Sequence, residues 1–200
     1  LGWYMVKSGL VDNPDVSQYR LVAHLSAAIV IYGYMFWVAM SLRRSKRQAF
    51  ASFSPKLLLA SICVTFWIFA TIITGGFVAG LDAGLTYNTF PLMDGQFIPD
   101  GLWSMQPWYS NLFENVTTVQ FDHRIFAEIS VLLIIGLWWL ARSANVSRLV
   151  RRPFHAMFIM VFLQVTLGII TLNLLVPIFV ASLHQIGALV LFTFSLWGVH

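Results

Sequence analysis

Runs of about 20 apolar residues, the length of a helix that crosses a bilayer, recur along this chain at about 21–42, 57–80, 117–141, 155–176 and 178–199. Residues 1–6 (LGWYMV) read as the tail of another such run, and the first residue is not Met. Further helices upstream of Leu1 are therefore expected. Polar residues collect in the connections 7–20, 43–56, 81–116 and 142–154, and in a very short turn at Val176-Pro177. The pattern predicts an all-α, polytopic membrane protein.

Composition agrees. Apolar residues make up 58% and charged residues 10% of the 200, against roughly 25% charged in soluble domains. The charges are sorted by connection. Nine of the twelve Lys and Arg are Arg43, Arg44, Lys46, Arg47, Lys56, Arg142, Arg148, Arg151 and Arg152, in segments without Asp or Glu. The connections 7–20 and 81–116 carry six acids and only Lys7 and Arg20. This is the positive-inside distribution. It puts the basic connections on the cytoplasmic or matrix side and 81–116 on the outer side, and it makes the excess of bases an orienting device rather than a nucleic-acid surface. Cys63 is the only cysteine, so an internal disulfide is excluded.

Against this apolar background, His24, His123 and His184 stand near the outer ends of helices that all run inward. A polar group inside a spanning helix is costly and usually faces the bundle interior, so the three mark one layer of chemistry. His155 follows Arg152-Pro153 at the inner surface and reads as interfacial, and His200 carries no signal. Arg124 and Glu128 are four apart and able to pair on one helix face. Thr74-Gly75-Gly76 and Gly80 permit close helix packing. The 81–116 connection is rich in aromatics and Met, which predicts a folded lid on the outer face.

A parallel repeat is visible. With His24 set on His184, Ala28 meets Ala188, Val30 Val190, Tyr32 Phe192, Tyr34 Phe194 and Trp37 Trp197, and, with a longer connection in the first copy, Leu1-Gly2 corresponds to Leu167-Gly168. The repeat predicts two pseudo-symmetric four-helix bundles. Residues 1–50 are the last part of the first, incomplete in this chain, and 51–200 are the whole of the second. A histidine equivalent to His123 is expected upstream. Facing side chains of a bundle build cofactor sites, and two neutral imidazoles suit the axial positions of heme iron. His123 and His184 are the candidate pair. Arg124, with Arg20 for the other bundle, is a candidate partner for heme propionates. Zinc fits less well without accompanying Cys or Asp, and a proton relay would not require matched depth.

The stretches MVKSGLV, SQYRLVAHL, AGLDAGLTYNTFPLMDGQFIP, NVTTVQFDHR and SLHQIGAL resemble the heme A synthase family, in its cysteine-free alphaproteobacterial and mitochondrial branch. The resemblance covers essentially all of the chain, as the C-terminal two-thirds of such a protein. It implies oxidation of the C8 methyl of heme O to a formyl group, with electrons passed to an acceptor. It implies heme b held by His123 and His184, and substrate heme O held by His24 with an upstream histidine. The functional glutamate of the family belongs to the upstream helix, so Glu128 does not take that role, and this piece alone is expected to be inactive. The implied surroundings are a bacterial plasma membrane or the mitochondrial inner membrane, membrane lipid and the heme O synthase, with a homo-oligomer left open. Two other readings also use bis-histidine heme: an electron-transfer cytochrome of b type, and a non-enzymatic heme-handling assembly factor.

Overall fold

The computed structural model describes residues 2–3, 16–43 and 54–200. The turn formers Gly9, Asn13-Pro14 and Asp15, and the basic residues Arg44, Lys46 and Arg47, lie outside these. Five helices are long and apolar enough to cross a membrane among the described residues: α1 (Gln18–Arg43), α2 (Pro55–Gly80), α3 (Val116–Ser143), α4 (Arg148–Asn173) and α5 (Ile178–Val199). Three start on side-chain caps that satisfy otherwise orphaned N–H groups. Ser54, Asn115 and Ser147 accept from Leu57, Thr118 and Val150 N–H respectively. The cap at Ser147 starts α4 seven residues before the apolar run, so Arg148, Arg151 and Arg152 are helical. Pro153, in the second turn, costs one N–H bond without stopping the helix. Arg151 donates to the Ala144 carbonyl at 2.9 Å.

Helix α2 packs on α3, α3 on α4, α4 on α5, and α5 back on α2, which closes a four-helix ring. Consequently α3 and α5 face each other across a diagonal. At the basic end the ring is filled by Leu57, Val64 and Ile68, by Ile134 and Leu137, by Phe154, Met157 and Val161, and by Leu191 and Phe192. Complete burial then stops. No side chain is fully buried from 69 to 75 on α2, from 121 to 129 on α3, beyond Val161 on α4, or before Gly187 on α5. The core is a plug at one end, and the other half of the ring is packed less tightly.

Helix α1 lies outside the ring against α2 and α5. Gly76 and Gly80 let it approach: a Cβ on Gly76 would lie 3.0 Å from Val22 Cγ2, and one on Gly80 2.7 Å from Gln18 Cβ. Residues 81–115 fold over the loop end of the ring. Asn111, fully buried, is the hub of their second half. Its carbonyl accepts from Met105 N at 2.9 Å and Asn115 Nδ2 at 3.0 Å, and its amide donates to the Met105 and Trp108 carbonyls at 2.9 and 2.8 Å. The first half turns at Met93–Gln96, where Asp94 and Gly95 both take positive φ, as a two-residue I′ turn requires. This is the folded lid expected from the aromatic composition.

Replacing Asn111 by Ala strands several loop groups at once, each worth about 1–3 kcal/mol when left unpaired. Limited proteolysis of Asn111→Ala is expected to cut within 100–115 much faster than in the parent, with the helices intact; an unchanged cutting rate would show that the hub does not hold the loop.

Candidate functional site

Helices α1 and α3 begin three residues and one residue before their apolar runs, and α5 begins with its own. His24, His123 and His184 are the seventh, eighth and seventh residues of α1, α3 and α5. At 1.5 Å per residue each lies about 9–11 Å along its helix. All three helices start at the loop end, and the shared depth read from the sequence is what the fold gives.

His123 and His184 project from the diagonal helices α3 and α5, in the layer where full burial stops. His123 Nδ1 is 2.9 Å from Thr74 Oγ1. The Thr74 hydroxyl donates its single proton to the Thr71 carbonyl at 2.8 Å, so it meets the ring as an acceptor. His123 therefore carries its proton on Nδ1, and Nε2 presents a bare lone pair. That is the tautomer a metal-bound imidazole adopts, with its outer nitrogen bonded to a neighbour. His184 has a different partner. The Gln164 amide nitrogen lies 3.1 Å from Nδ1 and donates to the His184 carbonyl at 2.8 Å. Gln164 Oε1 is buried without a partner. A donor at Nδ1 leaves the His184 proton on Nε2. A bare Nε2 here requires the amide to turn and present the oxygen that now has no partner. Both rings are half-buried and each rests against a helix glycine, Gly75 for His123 and Gly168 for His184. With the amide turned, which gives up its bond to the His184 carbonyl, both rings would present a bare Nε2 from opposite sides of the bundle, an arrangement that fits heme iron. Among the described residues no group of three His, Cys, Asp or Glu could hold a metal ion.

His24 stands apart. It is exposed on α1 rather than turned into the bundle, and its ring packs on Gly2. Arg20 is half-buried one turn earlier. Arg124 does not spend its terminal nitrogens on Glu128, which is exposed. Nη1 donates to the Thr89 carbonyl and Nη2 to the Tyr87 carbonyl, both at 2.9 Å. Nε is buried without a partner. One turn earlier, Gln120 donates to the same Tyr87 carbonyl at 3.0 Å. Asn88 donates to the Leu172 carbonyl at 2.9 Å. The strap 87–89 is thus tied to α3 on one side and to the end of α4 on the other, above the two histidines. His155, at the basic end, is exposed and accepts from Trp138 Nε1 at 2.7 Å. His200 lies 3.2 Å from Ser41 Oγ.

Residues 1–196 match the COX15-CtaA family model, described as cytochrome oxidase assembly protein. The chain belongs to this family. Among curated relatives of the family, the heme A synthase of Nitrosospira multiformis is 51% identical over all of this chain and 56% of its own length. The heme A synthase of Nitrosomonas eutropha is 47% identical over 98% of the chain and 56% of its length. Heme A synthase COX15 of Bos taurus is 41% identical over 98% of the chain and 49% of its length. The chain spans about half the length of the curated relatives it matches. Like a member of a membrane-protein family, it is an integral membrane protein.

Sequence reasoning missed Thr74 as a partner of His123, and it missed Gln164 altogether. A signal for the second was present: Gln164 is the one amide in the middle of the apolar run 155–176, Asn173 lying near its end, and a polar side chain there is expensive. Arg124→Lys replaces a fork of donors by a single point charge and cannot hold both carbonyls in the same geometry. Amide hydrogen exchange across 86–90 in Arg124→Lys is expected to rise about tenfold or more. Exchange equal to the parent would mean that the strap is held by other contacts.

Proposed function

We propose that this chain is the heme-b-bearing part of a heme A synthase, with His123 and His184 as the two residues that would hold the iron of one heme. The observation that carries the reading is the committed Thr74 hydroxyl, which fixes the His123 proton on Nδ1 and leaves Nε2 free for iron. The diagonal placement of the two helices, the equal depth of the two rings and the names of the relatives support it. A bound heme b would supply reversible one-electron exchange, which a bis-histidine iron without an open position performs well.

The residues of this chain have separable tasks in that scheme. Thr74 orients His123 and holds its outer proton. Gln164 turns to do the same for His184. Arg124 keeps Nε, and the second protons of its terminal nitrogens, for a propionate carboxylate, while its carbonyl contacts hold the strap that shields the heme edge from water. The apolar plug at the basic end sets the floor of the site.

The reaction we propose for the whole protein is oxidation of the C8 methyl of heme O to the formyl group of heme A by successive hydroxylations, with electrons leaving to an acceptor. His24, with Arg20 beside it, contributes to the substrate heme O site, whose other ligand comes from a helix upstream of Leu1. Contacts between α1 and α5 support two halves related by a twofold axis. Tyr32 Oη is 2.6 Å from Thr193 Oγ1, and Gly33 faces Phe192. Under the 160-residue offset Tyr32 corresponds to Phe192 and Gly33 to Thr193, so each residue touches the counterpart of its neighbour, as in an isologous interface. We place the protein in a bacterial plasma membrane with the loop 81–115 on the outer side, where it meets lipid, the heme O synthase and the electron acceptor.

In the full-length protein, His123→Ala and His184→Ala are each expected to abolish the low-spin heme b spectrum; an unchanged spectrum in both would refute the ligand assignment. Given a supply of heme O, chromatography of extracted hemes is expected to show heme A. Its absence would leave an electron-transfer cytochrome or a heme-handling factor in place of the synthase.

A further inference from the structure

All three layer histidines meet a glycine through the same ring atom. A Cβ built on Gly75 would lie 3.0 Å from His123 Cε1 and 3.6 Å from each ring nitrogen. On Gly168 it would lie 2.9 Å from His184 Cε1, with Nδ1 at 3.5 Å and Nε2 at 3.6 Å. On Gly2 it would lie 3.3 Å from His24 Cε1, with the nitrogens at 3.7 and 3.9 Å. Carbon atoms pack comfortably at about 3.5–4.0 Å, so an alanine does not fit at 75 or 168 unless the ring moves. In the ring, Cε1 lies between the two nitrogens, and the near-equal distances to those nitrogens show that each ring meets its glycine at the Cε1 corner, midway between the nitrogens. In His123 and His184 Nδ1 meets Thr74 and Gln164 respectively, which leaves Nε2 for the proposed iron.

The glycines are not all doing the same job. Gly75 and Gly76 are adjacent on α2, yet Gly76 receives Val22 and Leu25 of α1, whereas the three atoms nearest a Cβ on Gly75 all belong to the His123 ring. Gly136, also inside α3, has nothing within 4 Å. The contact also follows the repeat: Gly2 and Gly168, which the alignment pairs, touch His24 and His184, which it also pairs.

We propose that Gly75 and Gly168 are positioning residues, each a backbone stop against which the Cε1 corner of an imidazole rests so that its Nε2 is aimed at the bundle axis. A ring held at Nδ1 by Thr74, with Cε1 against a helix backbone, has no room to swing about its χ angles. The stop works whether or not heme is bound, although its purpose rests on the heme reading above.

The test is a double-mutant cycle in the full-length protein, using Gly75→Ala, His123→Ala and the pair, with Gly136→Ala as control. Without the ring the added methyl has space, and alanine is the better helix former. The pair is therefore expected to unfold at or above the temperature of His123→Ala, whereas Gly75→Ala alone unfolds below the parent. An equal loss in both backgrounds would overturn the proposal, because it would show a helix-packing role that does not involve the ring. Should Gly75→Ala fail to accumulate, recovery of the pair supports the proposal and its continued absence overturns it. In the loaded protein, Gly75→Ala and Gly168→Ala are each expected to lower low-spin heme occupancy about tenfold, as losses of supporting contacts at metal sites do, and to shift the largest g value of the remaining signal. Gly136→Ala should leave both unchanged. If His123→Ala kept its heme spectrum, the ligand reading would fall, while the unfolding cycle would still decide the glycine's role.

Discussion

A neutral imidazole inside a membrane must place one proton and one lone pair, and the rest of this structure depends on how that is done at His123. The Thr74 hydroxyl spends its only proton on the helix behind it, at the Thr71 carbonyl. It can then only accept from the ring, so the lone pair ends up on Nε2. A serine or threonine that bonds back to its own helix is common in apolar surroundings. Here the same bond sets the tautomer of a histidine on the next helix. At His184 the amide of Gln164 can present either a donor or an acceptor, so this ring is adjustable where His123 is fixed.

The fold supplies a frame for that pair. Four helices close into a ring, and the main buried apolar cluster fills its basic end, with a smaller one of Val22, Phe77 and Val119 under the loop. Were the plug to continue, the histidine layer would hold nothing but aliphatic packing. Instead the ring is capped at the opposite end by a loop whose carbonyls accept from Arg124 and Gln120 of α3 and whose Asn88 donates to the Leu172 carbonyl of α4. The lid and the site share Arg124, which follows His123 directly in the chain. Any change in the strap is thereby felt at the ligand within one residue. The acidic, aromatic loop thus closes the site from above, in addition to resting at a membrane surface.

Much of this was legible in the sequence, and the parts that were not have physical reasons. Apolar run length gives the helices because lipid offers the backbone no other partners. The start of α4 was not legible, since Arg148, Arg151 and Arg152 look like connection until Ser147 is seen to cap them. The three histidines were legible as a layer because their helices share a direction. Their inequality was only half legible: the incomplete repeat suggested it, and the exposure of His24 agrees. The Leu1-Gly2 and Leu167-Gly168 correspondence was visible as letters, but the reason lies in three dimensions, where each glycine touches the aligned histidine. Thr74 and Gln164 escaped because a hydroxyl or an amide among apolar residues reads as tolerated packing until its partner is known. The Asn111 hub escaped for a similar reason, since its bonds join residues that only the folded loop brings together.

The central claim is that one iron is shared by His123 and His184. The most direct measurement is a high-resolution map of the heme-loaded, full-length protein in lipid. The account predicts a heme between α3 and α5, with iron bound by Nε2 of both residues, Nδ1 of His123 still on Thr74, and the Gln164 oxygen turned to His184 Nδ1. Iron held by only one of them, or by side chains outside this layer, would contradict it.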